Sequence, residues 1–532
     1  MSIGLLAVSL LLTGCGGTKP AQSESPAELP GEEYDILSGP EALPQRQAVD
    51  QVFSLNFDPD GGCNPLRASS SANMQFWSLI YDSVFTVDEN FEFSSEIVKN
   101  VRSDDYTWWV FDMNEDICFS DGTPLTAADV VYSIRYAAQR EYYRGRLSMI
   151  YGVSALSSYS FAITTAYADT MFPAMLNVPI IKYGEYYEDW PIGSGPYVLR
   201  EDHRALELNP ENRHASEMPI GKIYLRDYMD TSARITAFEN ASIDIVTNDP
   251  TGMYNLGYGS SNEKRYYDTT NLHYIGFNMK GMYFQNPHLR YALGYAIDRE
   301  WIVSDLMNGC GVPTTLPVHP KSALYDEAYA ANFNYDPEKA AALFQAGGIG
   351  DLDDDGLNEV LVTGIVVEMN IKFIVNNDSA SKVTAARRIC EELNAMGVTT
   401  KLYELTWEDY FTALVTGDYD MYYGELRLTP DWNLSELFKE RDTSLDYFAG
   451  LNYARNTDET YCELYSAYLA APESERDAAF HEVLKFVAES APILPICFER
   501  REVLTHRGVV GGIRATQYDL FHQFSEWTID LK

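Results

Sequence analysis

Ser379 and Lys382, in the stretch SASK, have the Ser-x-x-Lys spacing at which a lysine can assist a serine nucleophile in acyl transfer. The companion motifs Ser-Asp-Asn and Lys-Thr-Gly are absent, and the stretch falls where a helix should begin, so Ser379 or Ser381 reads as a helix cap. Asp351, Asp353 and Asp355 precede Gly356 in DLDDDGLNEV with the spacing of a calcium loop, but position 12 counted from Asp351 is Val362, and the late carboxylate, Glu359, stands at position 9. That incomplete set predicts a solvated turn rather than a metal site. Gly-x-Ser-x-Gly, His-Glu-x-x-His and Gly-x-x-x-x-Gly-Lys-[Ser/Thr] are missing, the 8 histidines are dispersed, and Cys63, Cys118, Cys310, Cys390, Cys462 and Cys497 form no Cys-x-x-Cys. The chain is expected to bind rather than to catalyse, with no cofactor and no metal.

Binding chemistry concentrates in GDYDMYYGELRLTPDW, residues 417–432. Glu425 and Arg427 are two residues apart, so in a strand they share a face, where they either recognise opposite charges on a ligand or form a surface salt bridge. Trp407, Tyr423 and Trp432 are candidate stacking surfaces or else core, and Thr429 and Asp431 add polar groups. Asn376 and Asn377, in VNNDSAS, and Asn64, in GGCNPL, offer neutral amides.

The elements that must carry these residues are punctuated in the sequence. Thr126 and Asp129 have capping-box spacing before Val130, Ile134, Ala137 and Ala138, which fall on one helical face. Asn286 precedes Pro287 and the apolar stripe Leu289, Leu293, Ala296 and Ile297, and Asp336-Pro337 to Gly347 repeats that pattern. Between Ile365 and Gly424 a strand to Val375, a helix ending near Gly397, the strand VTTKLYEL, a helix from Trp407 and the strand YDMYYG alternate, which implies βαβ units on a partly parallel sheet. Ligands on such sheets sit beyond the carboxyl ends of strands, which singles out the turns after Val375, Leu405 and Tyr423.

At the start, the apolar run from Ile3 to Leu12 is too short to span a bilayer and fits the core of an export signal. Leu12-Thr13-Gly14-Cys15 resembles the lipobox of bacterial lipoproteins, which implies a signal peptide over 1–14 and a lipidated Cys15. Residues 15–44, rich in Ser, Pro, Gly and Glu, read as a flexible tether. A chain of 532 residues with 46% apolar content has enough material for two lobes. The net charge of −39 excludes nucleic-acid binding, which needs clustered Lys and Arg, and favours a solvated surface.

Five stretches in order, YTWWVFDMNEDICFSDGTPLTAADVVYSI, PIGSGPYVL, RITAFENASIDIV, YIGFNMKGMYFQNPHLRYALGYAIDREWIV and APILPICFERREVL, resemble the bacterial extracellular solute-binding proteins of family 5, which serve ABC importers of dipeptides, oligopeptides and nickel. The resemblance implies an α/β, two-lobed clamshell of the periplasmic-binding-protein type (type II, large peptide-binder variant), with mixed sheets and a hinge. Lobe I would comprise 45–272, with an extra subdomain, and 493–532; lobe II would be 273–492, with crossing segments near 270–285 and 485–500. It further implies a monomeric, extracytoplasmic, lipid-anchored receptor that hands a peptide or other small polar solute to ABC permease subunits. In peptide binders an Asp after a Trp holds the ligand's amine, and in dipeptide binders an Arg before the 380s helix holds its carboxylate. Here Leu426 stands at the Trp position, Thr429 at the Asp position with Asp431 two residues late, and VNNDSAS has no Arg. A free dipeptide would then bury an unpaired charge, at a cost of about 3–5 kcal/mol, so an oligopeptide held through its backbone fits better. The alternatives are a non-peptide polar solute, a sensor reporting occupancy to a membrane partner, and a secreted hydrolase.

Overall fold

The computed structural model describes residues 47–67, 70–249, 262–362, 364–438, 452–456 and 458–532. The export signal over 1–14, Cys15 and the whole of the tether to residue 44 lie outside these residues. No described helix is long and apolar enough to cross a membrane.

The local signals act where the sequence places them. The reciprocal capping box of Thr126 and Asp129 opens the helix Ala127–Ala137, whose Val130, Ile134 and Ala137 are buried. The Asn286 side chain accepts from the His288 N–H at the head of Pro287–Ala296, and Asp336 does the same for Lys339. The Ser379 side chain accepts from the Lys382 N–H, so the SASK serine that caps is the first one.

Two four-stranded sheets occupy the N-terminal half: Phe53–Phe57 with Lys222–Asp227, Ala205–Leu208 and Tyr197–Leu199, and Val98–Arg102 with Trp108–Met113, Ser160–Thr165 and Ile150–Ser157. They enclose an apolar core that includes Phe53, Trp109, Phe111 and Phe161 and that also takes in Val503 and Trp527 from the C-terminal end.

A seven-stranded mixed sheet follows. Its strands are β1 (Ile245–Asn248), β2 (Glu263–Phe277), β3 (Gly311–Pro313), β4 (Ile371–Asn376), β5 (Thr400–Leu405), β6 (Met421–Arg427) and β7 (Ile493–Thr505), in the spatial order β1-β7-β2-β6-β4-β5, with β3 also on β7. β4 pairs parallel with β5 and β6, as the strand–helix alternation requires; α1 (Ala380–Ala395) and α2 (Trp407–Thr416) make the crossovers. β6 continues to Arg427, four residues beyond the turn expected after Tyr423. β2, of 15 residues, and β7, of 13, pair antiparallel along most of their length. Val503 of β7 lies in the first core, whereas Ile275, Phe277 and Ile496 lie in a second core with Phe373, Ile389 and Leu293. The two strands span 263–277 and 493–505.

The opposite face of this sheet builds a third core from Leu272, Tyr274, Tyr422, Trp432 and Phe498. Two reciprocal pairs lock β2 to β6: Gly276 lies opposite Tyr422, and Gly424 opposite Tyr274. A Cβ on Gly424 would come within 2.4 Å of the Tyr274 ring, and one on Gly276 within 2.2 Å of the Tyr422 ring, so each glycine leaves the space its cross-strand tyrosine fills. This fixes the register at the rung next to Glu425.

Candidate functional site

Strand pleating places residues i, i+2 and i+4 on one face. Along β6 that face carries Tyr423, Glu425 and Arg427; across it on β2 stand Ile275, His273 and Asn271 respectively. On the other side of β2, Cys497 lies opposite His273 and Arg501 opposite Tyr267, with Glu499 between them. The apolar rows at Tyr423, Ile275 and Cys497 belong to the second core. Beyond them the same face turns polar.

A cavity of about 130 Å³ opens over that polar end, lined by Tyr267, Thr269, Asn271, Arg427 and Arg501 from the sheet and by Tyr142 and Gln517 from the first-core side. Arg427 lies 5.8 Å from the ring centre of Tyr142 and 5.9 Å from that of Tyr518. Gln517 is clamped to Thr270, accepting from its N–H at 3.0 Å. Burial pushes the Tyr267 hydroxyl up to about 12, so it stays a neutral phenol that can donate or accept.

Most charges here are paired. Glu499, 3% exposed, receives the Arg501 Nε at 3.2 Å and the Asn271 amide, and Arg501 also faces Asp249 at 3.6 Å. Lys382, at the head of α1, holds Asp378 at 3.0 Å and Glu425 at 3.1 Å. Burial alone would raise the Glu425 carboxyl, but His273 and Lys382 more than offset it and hold it below the ordinary glutamate value. Arg427 differs: among the described residues no carboxylate lies within ion-pair distance of it. Glu425 and Arg427 thus form no salt bridge with each other, and the cleft presents one uncompensated guanidinium.

The other residues singled out in the sequence are placed differently. Both amide hydrogens of Asn64 are donated, to the Tyr186 and Glu188 carbonyls, so it fastens its loop to the segment around Tyr186. Trp432 is 2% exposed and packs edge-on against Phe91 and Phe498, as core. Asn376 is buried where β4 ends, and Asn377 is exposed with its N–H bonded to Leu405. Trp407 is exposed and stacks on Phe411 beyond the edge strand. Tyr423 is buried, with its hydroxyl 3.1 Å from His273 Nδ1. Thr429 bonds Asp431, which also accepts from Tyr465 at 2.6 Å. His273, Asn271, Glu499, Arg501, Tyr142 and Gln517 escaped the sequence reading. The alternation of polar residues in DTTNLHY and CFERRE is the signal that could have found the first four.

A larger groove of about 480 Å³ runs past Asp298, Arg299, Tyr325 and Tyr335. Its Arg299 is buried and donates to the Pro495 and Gly294 carbonyls, so its charge serves packing. Among the described residues, all six cysteines from Cys63 to Cys497 are free thiols.

Comparison with known proteins follows from this geometry. The family model for bacterial extracellular solute-binding proteins, family 5 (middle), matches residues 92–441. The oligopeptide-binding protein AppA of Bacillus subtilis is 22% identical over 552 residues, covering 98% of this chain and 97% of its own. Among solved structures, a putative peptide-binding protein AppA from Clostridium difficile aligns with a TM-score of 0.68 at 18% identity, over 90% of this chain and all of that one. The unliganded open form of the periplasmic murein tripeptide-binding protein MppA aligns with a TM-score of 0.72 at 19% identity, over 91% of this chain and 99% of that one.

Asp431 faces Asp169, whose carboxyl is pushed up by burial and then by the Asp431 charge; burial likewise raises Asp431. Among the described residues Asp169 Oδ2 has no hydrogen-bond partner. A folded-state value raised above the unfolded one means that the native state holds the extra proton, so this pair costs stability as pH rises above the ordinary carboxylate range. Asp169→Asn is expected to raise the unfolding free energy by about 1–3 kcal/mol at pH 7. That gain should shrink toward zero below about pH 4, as measured by urea denaturation across pH.

Proposed function

The chain belongs to the bacterial extracellular solute-binding proteins of family 5, and on that premise we propose that it captures an oligopeptide over the polar face of β2, β6 and β7 and delivers it to an ABC import permease. The observation that carries this is Arg427, held over two tyrosine rings at the cavity with no carboxylate partner among the described residues. This exposed guanidinium, lining the cavity, attracts an anionic group, here the ligand's carboxylate or an acidic side chain, and its planar fork suits bidentate pairing. Asn271, Gln517, Thr269 and Tyr267 surround it with neutral donors and acceptors fit for peptide backbone groups.

The similarity to AppA of Bacillus subtilis across nearly both chains supports an oligopeptide as ligand and import as purpose. The two lobes correspond to the first core and to the cores on either side of the mixed sheet, and β2 with β7 forms the hinge on which they close. No step of bond making is assigned to the site, and the protein is read as a receptor, not an enzyme. The lipobox-like Leu12 to Cys15 supports a lipid anchor that keeps the receptor at the extracytoplasmic face of the membrane.

One observation favours a smaller ligand: 130 Å³ is room for about four water molecules, enough for a terminal group but not for a whole peptide. A compact polar solute would fill that space as it stands, whereas an oligopeptide must extend along the strands as the hinge opens.

Native mass spectrometry of protein purified without denaturation separates these readings. A heterogeneous set of peptide masses is expected, and a single non-peptide mass would overturn the oligopeptide assignment. Arg427→Met is expected to weaken ligand binding by about 2–5 kcal/mol, roughly thirtyfold or more, because the ligand's anionic group loses its partner. Cys15→Ala is expected to move the protein from the membrane fraction to the soluble one, and its retention on the membrane would refute the anchor.

A further inference from the structure

We propose that the small sheet of Ile349–Gly350, Glu359–Val362 and Ile365–Glu368 is a docking surface for an extended extracytoplasmic loop of the permease that carries apolar and basic side chains. The partner's identity rests on the import reading; the partner's chemistry rests on this sheet alone.

Antiparallel pairing sets Glu359 opposite Glu368, Val360 opposite Val367 and Leu361 opposite Val366. Glu359, Leu361, Val366 and Glu368 therefore share one face, and Val360 and Val367 the other. Val360 is buried in the second core together with Ile349, its partner on the first strand, which turns the Leu361 face toward solvent. Alternation calls for polar residues there. Instead the face presents a directly opposed apolar pair, Leu361 at 60% and Val366 at 53% exposed. Ile365 at the hairpin end is 65% exposed, and Leu352, in the turn between the first two strands, 57%. None of the four belongs to an apolar core among the described residues. Scattered single apolar residues are ordinary on a surface, but four bare ones on one small sheet mark a contact.

The sheet edge points the same way. Ile365–Glu368 is the last strand in the sheet order, so the backbone groups on its outer side are left unpaired by the sheet. Its sequence, IVVE, has none of the Lys or Pro that usually blunts such an edge, and an extended segment can add to it as a further strand.

Charge names the occupant. Residues 340–371 contain Asp351, Asp353, Asp354, Asp355, Glu359 and Glu368 and no Lys or Arg. Asp351 accepts from the Asp355 and Gly356 N–H groups, Asp355 from that of Leu357 and Glu359 from that of Leu352, so these contacts leave the negative charge uncancelled. A second copy of the chain would bring the same charge against it, and an anionic lipid surface would repel it. A loop with apolar side chains for the Leu361–Val366 pair and Lys or Arg for the acidic turn complements both features.

The test is photo-crosslinking in intact cells, with the full lipid-anchored chain carrying a benzophenone side chain in place of Val366. An adduct with a permease subunit is expected, joined at a segment that holds Lys or Arg beside apolar residues. Asp353→Lys combined with Asp355→Lys, both at exposed positions, should lower its yield at least tenfold. An unchanged yield in that variant, or adducts confined to lipid or to a second copy of the chain, would overturn the assigned partner chemistry. No adduct at Val366 would overturn the surface itself. The import reading is judged separately with a general amine-reactive crosslinker, which joins the parent chain to a permease subunit if that reading holds. An adduct at Val366 with a membrane protein of another kind would overturn the permease as partner.

Discussion

The antiparallel pairing of β2 with β7 is the constraint on which the remaining structure hangs. Both strands leave one apolar core and enter another, and between the cores their side chains must alternate between the face buried in the third core and a polar face that borders the cavity. Period-2 alternation then leaves few choices: Leu272, Tyr274 and Phe498 go inward on one side, so Asn271, His273 and Glu499 must go to the other. β6 joins in the register fixed by the Gly276–Tyr422 and Gly424–Tyr274 pairs, and this sets Glu425 beside His273 and Arg427 beside Asn271. A slip of one residue would turn the whole polar row into the core.

That geometry also organises the electrostatics. The chain as a whole carries a net charge of −39, yet the cleft is not simply acidic. Glu499 and Arg501, and Glu425 and Lys382, neutralise each other at close range, where attraction in partly buried surroundings exceeds the effect of distant, screened surface charge. What remains for a ligand is what local pairing leaves over: the guanidinium of Arg427 and the neutral donors around it.

Much of this was legible in the sequence, and the division follows a physical line. Helix starts at Thr126, Asn286, Asp336 and Ser379 could be read because a cap is a contact within three or four residues. The βαβ alternation likewise carried the parallel pairing of β4, β5 and β6. Of the proposed site, Glu425 and Arg427 on β6 could be singled out from sequence because their alternation is local. Their neighbours on β2 and β7 were invisible for the opposite reason: Asn271 and Glu499 meet across 228 positions of chain, and the register that joins them depends on bulges near Asp268 and His273. Trp432, read as a stacking surface or else core, packs as core, and Asn64 spends its amide on backbone carbonyls, because large aromatics and loop amides satisfy core and backbone as readily as ligands and composition does not tell the two apart.

The central claim is that the solute sits on the polar face shared by β2, β6 and β7. Amide hydrogen exchange with and without a saturating mixed oligopeptide pool tests it most directly. The account predicts that added protection concentrates at 267–273, 424–428 and 499–501, and at the facing segments around Tyr142 and Gln517. Protection confined to the groove along Asp298 to Tyr335, with these strands unchanged, would contradict it.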